Sequence, residues 1–185
     1  MDDLSKCYLI LVSIFFLLLI STMMIPGYVT LIPNFAIMVK LKLLNSHWAL
    51  ILRSALSGSA TSIFLFRQFF LSIPRDLENA AIVDGCSWPG VFFRIIMPNS
   101  KPAIATVIIL SFRSTWNSFL WPQLVLQTDR LWTWTLALKI LSESETNQAV
   151  LLAGSVISIL PILIIYLACQ KYFVNSQVSA GFGGT

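Results

Sequence analysis

Charge is what this chain has least of. Only 11% of its 185 residues are Asp, Glu, Lys or Arg, against about 25% in soluble domains. Eight acids, twelve bases and one histidine cannot clothe a body of this size in water-compatible side chains. With 57% hydrophobic residues and a mean hydropathy of +0.82, most of the surface must face a bilayer, which excludes a soluble globular domain. Clustered positive charge is missing too. The net charge of +4 comes from bases set singly between apolar runs, so no stripe exists to track phosphates and nucleic acid is excluded as a partner. The three cysteines, Cys7, Cys86 and Cys169, are odd in number and lack ligand spacing, which argues against a disulfide framework and a zinc site. The lone His47 has no metal or catalytic companion and is expected to anchor at the outer membrane face. Gly181–Thr185 is glycine-rich but lacks a lysine and a following helix, so it is not a phosphate loop. No enzyme chemistry, cofactor or metal is expected.

What the chain does have is long apolar runs. The first spans about 8–39, and its leader carries Asp2 and Asp3 against Lys6 with no small-residue cleavage site, so a retained span is expected rather than a signal peptide. As one straight helix the run would reach about 48 Å, well beyond a hydrocarbon core of about 30 Å. Pro26-Gly27 and Pro33 make it a kinked or broken helix. Further runs over about 46–70, 103–126 and 147–170 are each of spanning length. The fold expected is an all-α polytopic transmembrane bundle of about four spans, forming one domain over 1–185.

Four spans place both termini and the middle loop on one side, with Lys6, Arg67, Arg75, Arg94, Lys101 and Lys171; the other side holds Lys40, Lys42, Arg130 and Lys139. The excess of bases puts the first side in the cytoplasm and with it all three cysteines, where thiols stay reduced. Two arginines remain inside the runs. Arg53 is close enough to the outer end for its side chain to snorkel. Arg113, read as mid-helix, must face a bundle interior, a polar cavity or a partner, as a buried pair or as part of a path. Beside it, Trp116 and Asn117 could stack on and hydrogen-bond a sugar, or simply pack helices. Ala55, Gly58, Ser59 and Ser62 form a small-residue face that permits close helix approach.

The middle loop, 74–98, reads as two short helices. Pro74 suits a first turn, Leu77, Ala80 and Ala81 share a face, and Gly85 suits a left-handed C-terminal cap. The second helix is expected to start at Ser87 and stop before Pro98. An Ala-Ala face beside a glycine corner lets another protein approach closely; the plain alternative is a hairpin resting on lipid headgroups.

At these residues the chain resembles a known family. Glu78-Asn79-Ala80-Ala81-Ile82-Val83-Asp84-Gly85-Cys86-Ser87, closing with Ile95-Ile96-Met97-Pro98 and Lys101-Pro102-Ala103, is similar to the "EAA" coupling loop of permease subunits in binding-protein-dependent ABC importers. Met24-Ile25-Pro26-Gly27, Phe64 to Phe70, Thr115-Trp116-Asn117-Ser118-Phe119-Leu120-Trp121-Pro122 and the tail from Gln170 resemble the carbohydrate branch, the maltose- and glycerol-phosphate-type permeases. The resemblance implies a multi-pass subunit of the bacterial inner membrane that forms half of a carbohydrate path. Its implied partners are ATP-binding ABC subunits, a second permease subunit and an extracytoplasmic solute-binding protein, besides membrane lipid. It further implies that the loop docks on the ATPase, with Glu78, Asn79, Ala80, Ala81, Asp84 and Gly85 at the contact and Arg113, Trp116 and Asn117 along the path. Asn79 stands where the family usually has glutamate, and Arg53 and Arg113 stand where relatives carry uncharged residues. Family members usually have two further spans ahead of the helix that this chain starts with, so the chain is expected to lack them. A non-transporting scaffold that keeps the docking loop is the alternative reading.

Overall fold

A backbone in hydrocarbon must satisfy its own polar groups, which favours helices, and every regular element among the described residues of the computed structural model is helical. The structure describes residues 2–56, 59–144 and 148–181, with side chains at 11–55, 59–144 and 148–172. Cys7 and the last residues of the glycine-rich tail therefore lie outside what is described for side chains, as does Gly58 altogether.

Proline and glycine decide where helices stop. α1 (Asp2–Ser21) ends in a 3-10 turn at Thr22–Met24, and Pro26-Gly27 then break the run before α2 (Leu31–Lys40). The Val29 N–H donates to the Pro26 carbonyl at 3.0 Å and the Thr30 hydroxyl to the Gly27 carbonyl at 2.9 Å, so the break is itself hydrogen-bonded. α3 (Trp48–Leu56) and α4 (Ala60–Ser72) follow; the stretch Trp48–Ser72 is long and apolar enough to cross a membrane. In it Ala55 and Ser59 are exposed and Ser62 is half-buried.

The middle loop contains α5 (Arg75–Val83), α6 (Trp88–Val91), a π-helical turn over Phe92–Ile96, and α7 (Met97–Asn99). α8 (Lys101–Trp116) leaves at 68° to the Trp88–Asn99 stretch. α9 (Leu120–Val125), a 3-10 turn at Asp129–Leu131, α10 (Trp134–Glu143) and α11 (Gln148–Gly181) complete the chain. Gln148–Tyr172 of α11 has the length and apolarity of a span.

The run expected as one helix over 103–126 is two. Pro122 has no N–H and its ring would collide with the carbonyl four residues back, so α8 stops at Trp116 and α9 restarts with Pro122 in its first turn. This places Arg113 in the last turn of α8 rather than mid-helix, where a cation meets the negative end of the helix dipole.

The chain forms two compact units. One comprises 1–64 and 124–131, the other 65–123 and 132–185. In the first, the rings of Phe16 and Phe64 stack at 6.5 Å, and Met38, Ala49, Val125 and Leu126 are buried. In the second, α8 and α10 both pack on α11. Gly154 of α11 admits α10 so closely that an added Cβ would lie 2.6 Å from Leu138 Cδ1. Much of α11 is apolar and exposed, Leu152, Val156, Ile159 and Ile164 among its outward side chains, which is the surface a bilayer covers.

Candidate functional site

The middle loop is built as a rigid knob. Pro74, at φ −60° and ψ 130°, opens α5, and Asp76 and Glu78 in its first turn meet the positive end of the helix dipole. Gly85 takes φ 83°, a region closed to most side chains. Its N–H donates to the Ile82 carbonyl at 3.0 Å and that of Cys86 to the Ala81 carbonyl at 2.9 Å, the paired bonds of a Schellman cap. The chain reverses there with the Ala80, Ala81 and Ile82 carbonyls of α5 all bonded.

The two alanines do not form one face. Ala80 is exposed with Asn79, Asp84 and Gly85, whereas Ala81 is 5% exposed and belongs to the loop's interior; Glu78 is half-buried. The expected Ala-Ala surface is thus corrected to Ala80 beside Leu77, because packing of α5 on α6 consumes Ala81. What projects instead is apolar: Val83 at 86% exposure, Trp88 at 70% and Phe93 at 68%. Of the nearby carboxylates, Asp84 follows Val83 at the end of α5 and Glu78 lies in its first turn.

The second correction concerns Pro98. The helix does not stop before it, because the wider π-turn over Phe92–Ile96 relieves the ring's conflict with the preceding turn and lets the chain stay helical to Asn99. Side chains add hydrogen bonds to carbonyls around the two prolines. Asn99 Nδ2 donates to the Ile95 carbonyl at 2.8 Å, the wholly buried Ser100 hydroxyl to Ile96 at 2.6 Å, and Thr106 to Pro102 at 2.9 Å. The 68° elbow is therefore braced by side-chain bonds on both sides of it.

At the other end of α8, Arg113 and Asn117 are exposed and Trp116 is half-buried. Trp116 stacks on Phe112 at 5.6 Å and its indole N–H donates to the Ser158 carbonyl at 3.1 Å. The Ser158 hydroxyl accepts the Trp134 indole N–H at 2.6 Å and donates to the Gly154 carbonyl at 2.9 Å, while Thr135 donates to the Trp116 carbonyl at 2.6 Å. Trp116 is thus committed to joining α8, α10 and α11, while Arg113 and Asn117 are the exposed members of the three residues expected along the path. Ser158 was not legible as a junction, since a serine in an apolar run, like Ser155 beside it, looks like any small packing residue.

A cavity of about 570 Å³ lies between α10 and α11, walled by Trp132, Trp134, Leu138, Leu141, Ala153 and Ile157 among others. Its lining is almost wholly apolar and offers a polyhydroxylated solute little to bond. Asn45, also missed in the sequence, ties two loops of the first unit: its N–H donates to the Val125 carbonyl at 2.7 Å and its side chain bonds three groups on Gln127 and Thr128.

The sequence and fold of the chain match known proteins. The family described as "Binding-protein-dependent transport system inner membrane component" matches residues 8–176. The arabinooligosaccharides transport system permease protein AraQ is 41% identical in Bacillus subtilis and 38% identical in Halalkalibacterium halodurans, in each case over 93% of this chain and 61% of the relative. The sn-glycerol-3-phosphate transport system permease protein UgpE of Salmonella typhi is 36% identical over 91% of this chain and 60% of its own length. A crystal structure of a bacterial ABC transporter involved in the import of the acidic polysaccharide alginate matches with a TM-score of 0.66 and 27% identity, over 86% of this chain and 61% of that one. The chain spans about three fifths of the length of the relatives it matches. These relatives are transport components of the inner membrane, not enzymes. By its match over nearly its whole length, this chain belongs to the family of binding-protein-dependent transport system inner membrane components.

Proposed function

We propose that this chain is a permease subunit of an ATP-driven ABC importer, that it contributes half of a path for a carbohydrate, and that loop 74–98 couples it to a cytoplasmic ATPase. The observation that carries the reading is mechanical. The Schellman-capped knob, the braced elbow and α8 all lie in one compact unit, so displacement of the knob moves α8 as a lever rather than being lost in a flexible loop. At 16 residues α8 is about 24 Å long, and Arg113 and Asn117 sit at its far end. Val83, Trp88 and Phe93 provide the apolar contact with the ATPase, and Glu78 and Asp84 the charge that steers it. Arg113 and Asn117 face the path. Trp116 serves them by fixing the helix end. Import further requires a companion permease and a solute-binding protein, and the relatives' names favour carbohydrate cargo. The loop is cytoplasmic in this reading, so Cys86 is labelled by a membrane-impermeant maleimide in inverted vesicles and spared in intact cells; labelling from outside would reverse the topology. In proteoliposomes of the whole transporter, ATP-dependent accumulation of labelled arabinooligosaccharide, glycerol phosphate or alginate oligomer tests the cargo class. Assembly with the ATPase but no accumulation of any carbohydrate would favour a scaffold.

A further inference from the structure

The loop joining α2 to α3 contains two non-glycine residues in the left-handed region, Lys42 at φ 56° and Asn45 at φ 55°. Asparagine tolerates that conformation and lysine does so at a cost, so something must hold the loop in place. The hold comes from a segment about eighty residues away. The Asn45 N–H donates to the Val125 carbonyl at 2.7 Å, its Oδ1 accepts the N–H groups of Gln127 at 3.1 Å and Thr128 at 3.0 Å, and its Nδ2 donates to the Thr128 hydroxyl at 2.8 Å. A second tie lies nearby: His47 Nε2 is 3.1 Å from the Leu131 carbonyl. One side chain thus uses both ends of its amide on a single turn. The segment 124–131 also belongs to the same compact unit as residues 1–64, although the chain on either side of it belongs to the other. Under the latch Val125 and Leu126 are buried, while Gln127, Thr128, Asp129 and Arg130 are exposed.

We propose that Asn45 is a positioning residue for import: it holds 127–130 as a preformed outer face for the binding protein, so that docking does not have to order that segment first. The proposal rests on the import reading above. A loop that must be ordered on docking weakens binding by the fraction of time it spends ordered, without changing the rate once the complex has formed.

The test uses the whole transporter in proteoliposomes and the cognate binding protein purified from its host with the solute it carries. Asn45→Gly keeps the left-handed backbone but removes the amide, whereas Asn45→Asp keeps an oxygen for both N–H groups and can accept from the Thr128 hydroxyl. Asn45→Gly is expected to speed hydrogen exchange at Gln127 and Thr128 about tenfold or more, and to raise the half-saturating binding-protein concentration for ATP hydrolysis about tenfold at an unchanged plateau rate. Asn45→Asp should restore both. Should Asn45→Gly not assemble, His47→Ala removes the second tie and should shift half-saturation in the same direction. Unchanged exchange would show that the latch does not hold. Faster exchange with unchanged half-saturation would leave a structural tie only, and a lowered plateau at constant half-saturation would place the effect inside the cycle; each overturns the proposal. A wild-type transporter whose ATP hydrolysis ignores the binding protein would overturn the import reading and the positioning role with it, while the exchange pattern would still decide whether the latch exists.

Discussion

Replacing Gly85 separates two demands on the coupling corner. At φ 83° the glycine occupies a conformation that an L side chain adopts at a cost of about 1–2 kcal/mol, yet a Cβ built there meets nothing within 4 Å. The penalty of Gly85→Ala is therefore backbone strain rather than a clash within the chain. Relaxing the strain means giving up the two capping bonds at Ile82 and Ala81, so the capped population falls by about 5- to 30-fold relative to the frayed one. Asparagine tolerates the left-handed region, so Gly85→Asn should lose only a fraction of this. Gly85→Leu adds bulk in the open space that the docking partner is proposed to fill. The expected order of ATPase recovery on co-purification is wild type, Asn, Ala, then Leu, with Leu close to none. Hydrogen exchange at the amides of Gly85 and Cys86 should follow strain alone, so that Ala and Leu are alike. Equal recovery of all four forms would refute the docking argument, and equal exchange would refute the strain argument.

Other sites give independent tests. Gly154→Leu should overfill the α10–α11 contact, where even a Cβ lies 2.6 Å from Leu138, and should lower stability in detergent by about 1–3 kcal/mol, read as a drop in thermal midpoint. Ser158→Ala removes the acceptor of the Trp134 indole but keeps the carbonyl that Trp116 uses, so a loss of about 0.6 to 1.7 kcal/mol is expected. Arg113→Leu should lower uptake while leaving assembly and span insertion intact, with Arg113→Lys partly active, because the residue is exposed at a helix end rather than holding a core; loss of assembly would mark it as structural.

Legibility in the sequence followed the range of the interactions. Pro74 and Gly85 punctuate α5 through their own backbone preferences, so the first helix of the loop and its cap can be placed from a few neighbouring residues. Pro98 misled because its usual effect as a helix breaker was offset by a π-turn, which local preference does not foretell. Ala81 and Ala80 are adjacent and chemically identical, and only the packing of α6 decides that one is buried and the other exposed. The break after Trp116 was signalled by Pro122 but masked by the continuous apolar run around it. Asn45 was beyond reach for a different reason: its partners at 125–128 are distant in sequence, and an asparagine in a loop gives no sign of which segment it will bind.

The central claim is that the apolar knob of loop 74–98 contacts an ATP-binding subunit. A photoreactive amino acid at Val83, the most exposed of the loop's large apolar positions, tests it directly in living cells. The account predicts one protein adduct, containing the ATP-binding subunit of the transporter, whose yield falls when Gly85→Leu is introduced alongside. Adducts with membrane lipid alone, at a yield indifferent to Gly85→Leu, would contradict it and make the loop an interfacial hairpin.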